Sequence, residues 1–271
     1  MPGGWTSTGD AFLRRLRVLM SRREISPEEL AGAAAVVIDV LAATTTLLTI
    51  LENGASRVFP ARNLEEATAV ADRLDGTRSI RGGEQGGERI PGYDLGPLPG
   101  EYPPEVVAGR DVIFVTTNGT RAIAGAATAD EVLVGCLRNA PAVARYLEES
   151  GSESVYVICA GSKGRFNVED FLGAASMLSR MDVSNWYLND AARLALEFAD
   201  LHKGNTRRIL ESGRVGRWFV ENERVETLDF FGEVGASELV PNVRDGQLHR
   251  MDKAKTSGHG VQASAKPEPD A

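Results

Sequence analysis

An aspartate followed by threonines stands at the end of an apolar, strand-like run. Residues 36–38 are apolar, Asp39 follows them, and Thr44 and Thr45 precede a helical pattern. The first turn of a helix carries unpaired N–H groups and the positive end of the peptide dipoles, so it attracts anions. A carboxylate beside such a turn could bind Mg²⁺ or attack phosphorus, while ordinary turn and capping roles are the structural alternative.

A second apolar run, residues 112–115, ends in a similar turn. Asn118, Gly119, Thr120 and Arg121 follow it and lead into an Ala-rich helix. A cation in the first turn of a helix is electrostatically unfavourable unless an anion lies nearby, so we expect Arg121 to face a ligand. Asn118 before Gly119 also suits a turn that needs no ligand, and both interpretations stay open.

A third strand-like run, residues 155–159, leads into a turn with Gly161 and Lys163 and then into a helix that opens with Glu169 and Asp170. These two carboxylates are candidate metal ligands. Favourable negative charge in the first turn of a helix is the structural alternative for them.

The segment 81–100 separates the first junction from the second. Its seven glycines and three prolines predict a long loop, and long loops inside compact domains are often functional. It carries Glu84, a candidate catalytic or metal-binding carboxylate, and Asp94, a candidate metal ligand.

These junctions recur because strands alternate with helices along the chain. That alternation predicts an α/β fold, a three-layer α/β/α sandwich with a mainly parallel sheet. Ligands of such sheets bind at the carboxyl ends of the strands, so the three junctions should converge on one region. Convergence of all three supports a ligand site more strongly than any one of them alone.

An internal duplication of a strand–loop–helix unit is also predicted. Val58 and Val132 stand 74 positions apart in similar strand-like runs, and the predicted helix caps Asn63 and Asn139 stand 76 apart. We expect two similar halves within one domain, at about residues 31–110 and 111–185.

The domain containing these halves should span residues 14–250 and include helical support after the second half. Residues 1–13 are polar and Gly-rich, and residues 251–271 lack apolar periodicity, so we expect both ends to be disordered.

The composition limits the function classes. A chain of 271 residues, 42% of them hydrophobic, can bury a full core, and a net charge of −8 argues against nucleic acid as a main partner. No apolar run is long enough to span a membrane, and no signal-peptide pattern is present, so we expect a cytoplasmic protein. Cys136 and Cys159 lack zinc-like spacing and should be buried, reduced thiols.

The order of motifs resembles that of the 2-phosphosulfolactate phosphatase family. The resemblance runs from about residue 14 to about residue 250. Its motifs are Asp39-Val40-Leu41, Ala43-Thr44-Thr45-Thr46, Gly83-Glu84, Gly86-Gly87, Gly92-Tyr93-Asp94-Leu95-Gly96, Thr116-Thr117-Asn118-Gly119-Thr120-Arg121-Ala122, Cys159-Ala160-Gly161, Glu169-Asp170 and Leu239-Val240-Pro241.

The resemblance implies an α/β, Mg²⁺-dependent phosphatase that removes phosphate from (R)-2-phospho-3-sulfolactate on the route to coenzyme M. In such an enzyme the leading catalytic residues would be Asp39, Glu84 and Arg121. The phosphate would be surrounded by Thr44, Thr45, Asn118, Gly119, Thr120, Gly161 and Lys163. The metal ligands would come from Asp39, Asp94, Glu169 and Asp170. The partner would be a small phosphorylated substrate, and a homodimer is left open.

Several positions depart from the family pattern. Ala42 and Gln85 stand where the pattern has arginine, Pro97-Leu98-Pro99 replaces Asn-Ser-Pro, and Gly173 replaces a common cysteine. Loss of one charge-assisted contact costs about 1.5–3 kcal/mol, so a shifted substrate is expected. A non-catalytic protein that binds an anion or metabolite on the same fold is the alternative.

Three other nucleotide or phosphate chemistries fit the sequence less well. Haloacid-dehalogenase phosphatases need a second Asp two positions after the nucleophile, and Leu41 occupies that position. Neither a P-loop GxxxxGK[ST] nor a GxGxxG fingerprint occurs. Whether Asp39 attacks phosphorus or orients a metal-bound water stays open at this point.

Overall fold

The computed structural model describes residues 13–251. The predicted disorder of residues 1–13 and 251–271 therefore lies outside the described residues, apart from Leu13 and Met251. The described residues form eleven strands in one sheet. The strands are β1 Arg14–Leu19, β2 Ala34–Ile38, β3 Arg57–Ala61, β4 Ser79–Gln85, β5 Glu88–Arg89, β6 Asp111–Val115, β7 Glu131–Gly135, β8 Ser154–Cys159, β9 Trp186–Leu188, β10 Pro241–Arg244 and β11 Gln247–Arg250.

Helices cover both faces of this sheet. They are α1 Pro27–Leu30, α2 Ala43–Glu52, α3 Leu64–Ala71, α4 Pro104–Val107, α5 Gly119–Gly125, α6 Ala140–Glu149, α7 Val168–Leu178, α8 Asp190–Leu201, α9 Thr206–Ser212, α10 Arg214–Glu221 and α11 Val225–Gly232. No helix in this part of the chain is long and apolar enough to cross a membrane.

The sheet order is β5-β4-β6-β3-β11-β10-β7-β2-β8-β1-β9. The pairs among β1, β2, β7, β8 and β9, and those of β6 with β3 and β4, are parallel; β5, β10 and β11 run antiparallel to their partners. The prediction of a three-layer α/β/α fold with a mainly parallel sheet is therefore confirmed.

Strand β2 shows why its sequence is apolar throughout. Side chains alternate between the faces of a strand. Val36 and Ile38 pack into the core beneath α6, α7 and α8, while Ala35 and Val37 pack into the core beneath α2 and α5. All five residues of β2 are buried, as expected for a central parallel strand covered on both sides. Cys136 and Cys159 are buried and free, as predicted.

Two successive runs of the chain, β2-α2-β3-α3-β4 and β6-α5-β7-α6-β8, have the same order of elements. Each run inserts its first strand between the other two strands of the opposite run. Strand β6 pairs with β3 and β4, and β2 pairs with β7 and β8. The pairs Arg57 with Asp111 and Glu131 with Ala34 occupy equivalent registers. The internal duplication stays a prediction, which this reciprocal exchange supports.

The C-terminal part of the domain is not purely helical support, which corrects our expectation. A hairpin of β10 and β11 lies between β3 and β7 and joins the two groups of parallel strands. Its turn is Asp245-Gly246, and both residues have positive φ. An Asp-Gly pair between short alternating runs is a strong hairpin signal, so the sequence did contain a sign of it.

The expectation that residues 81–100 form one loop is also wrong, because β4 continues to Gln85 and pairs with β6. Gly83 has a φ of +125°, and a side chain there would collide with the carbonyl of Val115. Glycine is used here for close approach of two strands rather than for a loop. The consequence is that β4 delivers Glu84 to the carboxyl edge of the sheet.

Candidate active site

The three predicted junctions meet at the carboxyl ends of β2, β6 and β8, and β4 reaches the same edge. Hydrogen bonds link these segments directly. The backbone N–H of Val40 donates to Asp170 at 2.9 Å, that of Thr117 donates to Glu84 at 2.5 Å, and that of Lys163 donates to Asn118 at 3.1 Å. The predicted convergence of these segments is therefore present.

Asp39 lies at the centre of this edge and is only 8% exposed. The pKa of Asp39 is raised to about 7, mainly by burial. The backbone N–H of Ala43 opposes this shift, whereas the charges of Glu84 and Glu169 add to it. The backbone N–H of Gly119 opposes it to a smaller extent. Two backbone donors thus fix the carboxylate, while its surroundings disfavour its charge. A carboxylate held in this way is prepared for a cation.

Asp170 connects the β2 and β8 junctions. Its two carboxylate oxygens accept the backbone N–H groups of Val40 at 2.9 Å and Gly161 at 2.8 Å. The pKa of Asp170 is well above its usual value, first through burial and then through the charges of Asp39 and Glu169. Because each oxygen already has a fixed donor, Asp170 is best suited to hold these loops in place.

Glu169 differs from its neighbour because both of its carboxylate oxygens are buried without a hydrogen-bond partner. Burial raises its pKa, whereas its own backbone N–H and the charge of Arg214 lower it. A Cβ on Gly213 would lie 2.7 Å from Oε2, so the absence of a side chain at Gly213 leaves room for the carboxylate. A buried, unpaired carboxylate is costly unless it binds a ligand, which makes Glu169 a strong candidate metal ligand.

Glu84 is half-buried, and its carboxylate is fully engaged. It accepts the backbone N–H of Thr117 at 2.5 Å, the hydroxyl of Thr117 at 2.9 Å and the backbone N–H of Gly87 at 2.6 Å. These bonds tie the end of β4 to the β6 junction. The negative charge of Glu84 raises the pKa of Asp39, but its carboxylate oxygens are occupied by hydrogen bonds to Gly87 and Thr117.

The predicted phosphate-binding threonines direct their hydroxyls into the protein. Those of Thr44, Thr45 and Thr120 donate to the backbone carbonyls of Asp39 at 2.8 Å, Val40 at 2.9 Å and Thr116 at 3.0 Å, and all three residues are fully buried. Sequence could not distinguish these internal bonds from ligand contacts. Phosphate binding by these hydroxyls stays a prediction that their geometry does not favour.

Asn118 and Lys163 meet across the site. Lys163 has a φ of +52°, and its backbone N–H donates to Oδ1 of Asn118. The turn that carries Lys163 also contains Gly161, where a Cβ would collide with the backbone of Arg165. Asn118 therefore holds this turn, and the ammonium group of Lys163 lies on its exposed side.

Two arginines lie close to each other near the β6 and β1 strand ends. Arg121 is exposed, and its Nε donates to the carbonyl of Arg62 at 3.4 Å. Arg22, which was not among the residues predicted from the sequence, lies near Arg121. Burial is the main cause that lowers the pKa of Arg22, and the charge of Arg121 lowers it further. No motif marks Arg22; it reaches this edge only because β1 pairs with β8.

Asp94 occupies a different position from the other candidate metal ligands. It is exposed, and its carboxylate accepts the backbone N–H of Arg81 at 2.8 Å. Its own backbone N–H donates to the carbonyl of the same arginine. These bonds fasten the segment after β5 onto β4, and no contact joins Asp94 to Asp39 among the described residues.

The donor set fits one hard divalent cation held by few protein ligands. Within residues 13–251, no group of three His, Cys, Asp or Glu side chains forms a complete metal cluster. Mg²⁺-type ions commonly use one or two carboxylates and keep several waters. The unpaired oxygens of Glu169, with Asp39 close enough for their charges to interact, meet that requirement.

The close contact between Gly119 and Asp39 gives a first prediction. A Cβ on Gly119 would lie 2.7 Å from Oδ2 of Asp39, inside the buried junction. We expect Gly119→Ala to lower the free energy of unfolding by about 1–3 kcal/mol, the usual cost of overpacking. The matched control is Gly100→Ala, where nothing lies within 4 Å of the added atom. Thermal melts of both variants measure the difference, and equal melting temperatures would contradict the close packing.

Comparison with known proteins gives one consistent family. The family model described as 2-phosphosulpholactate phosphatase matches residues 19–246. A protein of Caldanaerobacter subterraneus subsp. tengcongensis is 34% identical over 232 residues, covering 85% of this chain and 96% of the relative. Relatives from Symbiobacterium thermophilum and Deinococcus radiodurans are 39% and 36% identical, covering 82% and 86% of this chain and 95% and 94% of their own. All three relatives are named as probable 2-phosphosulfolactate phosphatases.

Proposed function

The chain belongs to the 2-phosphosulfolactate phosphatase family, and from that premise we propose that it is a Mg²⁺-dependent phosphatase acting on a small phosphomonoester. The observation that carries the proposal is the buried carboxylate of Glu169, unpaired beside Asp39, at an edge that also presents Arg121 and Lys163. Phosphoryl transfer depends mainly on positioning and on neutralising charge, and this edge offers both.

Asp39 and Glu169 are the residues proposed to hold the ion. When bound there, Mg²⁺ would supply Lewis acidity and neutralise charge on the phosphoryl oxygens. Because a metal ligand must be ionised, a pKa of about 7 means that Mg²⁺ and a proton compete for the carboxylate of Asp39 near neutral pH. Asp170 and Glu84 act as positioning residues, and the exposed Asp94 holds its own loop.

The cationic residues are assigned to the substrate. Arg121 and Lys163 would bind phosphate oxygens through charge-assisted hydrogen bonds, which are stronger than neutral ones. Asn118 fixes the turn of Lys163 by accepting its backbone N–H. Ala42, at the start of α2, and the exposed Gln85 supply no cation, so the remaining arginines must provide the positive charge. A homodimer and a cytoplasmic location stay predictions.

The proposed activity is tested by phosphate release from a panel of phosphomonoesters with Mg²⁺. The panel comprises 2-phosphosulfolactate, phospholactate, phosphoglycerate and pentose phosphates. We expect the highest kcat/KM for a small compound with an additional acidic group, because Arg22, Arg23 and Arg121 lie close together and form no ion pair with any described residue. Stabilisation by these compounds without any phosphate release would instead identify a binding protein.

A pH prediction follows from the buried carboxylates. A raised pKa means that the folded state holds the proton more tightly than the unfolded state does, so this stability is complete below about pH 4 and is lost as pH rises through about 7. In chelator, we expect the melting temperature to fall between pH 5 and pH 8. Because Mg²⁺ binds the ionised carboxylates, it should raise the melting temperature more at pH 8 than at pH 6. An equal effect at both pH values would contradict this coupling.

A further inference from the structure

The short 3-10 helix Arg22–Glu24 directly follows β1. Strand β1 runs parallel to β8, so the 3-10 helix lies at the same carboxyl edge as Asp39 and Glu169. Ser21 holds its start, since its hydroxyl accepts the backbone N–H of Arg23 at 3.3 Å. The backbone thus delivers two successive arginines to the rim of the candidate site.

The side chain of Arg22 is partly buried, and one of its nitrogens lacks a hydrogen-bond partner. Its Nε is buried without a hydrogen-bond acceptor, and the residue forms no ion pair with any described residue. A buried guanidinium N–H normally finds an acceptor, because leaving it unpaired costs the full desolvation penalty. The unpaired donor therefore indicates an acceptor supplied by a ligand.

Like charges converge at this position. Burial lowers the pKa of Arg22, and the positive charges of Arg121 and Arg23 lower it further. Arg121 and Arg23 also form no ion pair within residues 13–251. Arginine stays charged in proteins, so this arrangement is unfavourable until an anion joins it.

Arg23 lies beside this group on the exposed surface. It packs onto Gly164, where any side chain would collide with its guanidinium. Gly164 belongs to the same turn as Lys163, so the rim packs the β1 and β8 segments together. The positive charge of Arg23 therefore lies where the segments after β1 and β8 pack together.

We propose that Arg22 binds a second anionic group of the phosphomonoester substrate, next to the phosphate assigned to Arg121, and thereby determines specificity. The inference rests on the proposed phosphatase function. The group recognised is a singly charged oxyanion, a sulfonate or a carboxylate, which accepts hydrogen bonds from a guanidinium. The phosphate itself lies nearer the carboxylates and their ion.

The experiment compares KM and kcat for three substrates. 2-Phosphosulfolactate carries both a sulfonate and a carboxylate, phospholactate lacks the sulfonate, and glycerol phosphate lacks both. We expect Arg22→Gln to raise KM for 2-phosphosulfolactate about 10- to 100-fold with little change in kcat, and to leave glycerol phosphate within about twofold. Arg22→Lys should recover part of the loss. If Arg22→Gln raises KM for phospholactate as much as for 2-phosphosulfolactate, Arg22 binds the carboxylate. If KM for phospholactate does not rise as much, Arg22 binds the sulfonate.

The matched control is Arg193→Gln, an exposed arginine on α8 whose side chain forms no hydrogen bond within the described part of the chain. This variant should behave as the unmutated protein does. An equal loss on all three substrates, or none on any, would overturn the proposal.

Failure of the proposed function is distinguishable from failure of this inference. If the unmutated protein releases phosphate from no substrate, the phosphatase proposal fails. The same variants are then melted with 3-sulfolactate, which supplies the oxyanions without phosphate. Stabilisation of the unmutated protein and the Arg193 variant, but not of Arg22→Gln, would support the anion site; equal stabilisation of all three, or of none, would overturn it.

Discussion

Replacing Asp39 by asparagine is expected to lower kcat for phosphate release by roughly a thousandfold or more, since general acid–base or metal-binding carboxylates typically contribute factors of about 10²–10⁴. The change keeps the size of the side chain and removes its charge. The charges of both Glu84 and Glu169 raise the pKa of Asp39, so it interacts with two other carboxylates proposed for the site. Circular dichroism of the variant should match that of the unmutated protein.

Asp111→Asn is the matched control for this variant. Asp111 is also buried, but it starts β6 and pairs with Arg57 at the amino end of that strand, whereas the candidate site follows its carboxyl end. We expect this variant to lose some thermal stability, because a buried carboxylate and its arginine are separated, and to keep its kcat. If Asp39→Asn retained kcat within about tenfold, Asp39 would not be at the centre of the chemistry.

Glu169→Gln is expected to reduce kcat/KM at least about a hundredfold and to weaken the response to Mg²⁺, because it neutralises a proposed ligand. In contrast to this loss of activity, we expect Glu169→Gln to increase the stability of the metal-free protein. Glu169 has two buried oxygens without partners, and its pKa is raised mainly by burial, so its ionised form destabilises the metal-free fold. The variant should therefore melt at a higher temperature than the unmutated protein at pH 8 in chelator.

The size and sign of that stability change can be checked directly. Each kcal/mol shifts the melting temperature of a domain of this size by about 2–4 °C. The gain should disappear towards low pH, where the unmutated Glu169 is protonated and neutral. Glu131→Gln is the control, because Glu131 accepts hydrogen bonds from Tyr146 at 2.5 Å and Asn242 at 3.1 Å at the amino end of β7. A lower melting temperature for Glu169→Gln under these conditions would mean that its carboxylate has a structural partner.

Local pattern was enough to predict the parallel sheet and the convergence of its junctions. Asp39 after β2 and Ala160 after β8 stand at the ends of parallel strands, whereas Thr116 follows β6, which the β10–β11 hairpin sets in the opposite direction. Parallel strands linked by helices end on the same side, which explains why the β2 and β8 junctions meet. The β6 junction reaches them from the other group of strands, where Gly119 lies against Asp39. The alternation of strands and helices therefore predicts the fold class and only part of the site.

Features that depend on pairing between distant strands were not predictable in this way. The exchange of β2 and β6 between the two runs has no local signal, and the place of Arg22 depends on the pairing of β1 with β8. The glycines of β4 led to the wrong prediction of a loop, because glycine permits close contact between strands, as at Gly83, as readily as it permits turns.

Composition also cannot show which way a polar side chain faces. Thr44 and Thr45 follow Asp39 in the sequence, yet their hydroxyls bond to backbone carbonyls inside the protein. Asp170 and Glu169 are adjacent, yet one has two fixed donors and the other has none. Such differences arise from packing, so the division of roles within the site required the structure.

We propose that this edge of the sheet hydrolyses a phosphomonoester with the help of Mg²⁺. The most direct measurement is phosphate release from 2-phosphosulfolactate by the unmutated protein, first with Mg²⁺, then after chelation, and again after Mg²⁺ is restored. We predict release with Mg²⁺, loss of release in chelator and recovery on restoration. Release that continues unchanged in chelator, or no release under any of the three conditions, would contradict the account.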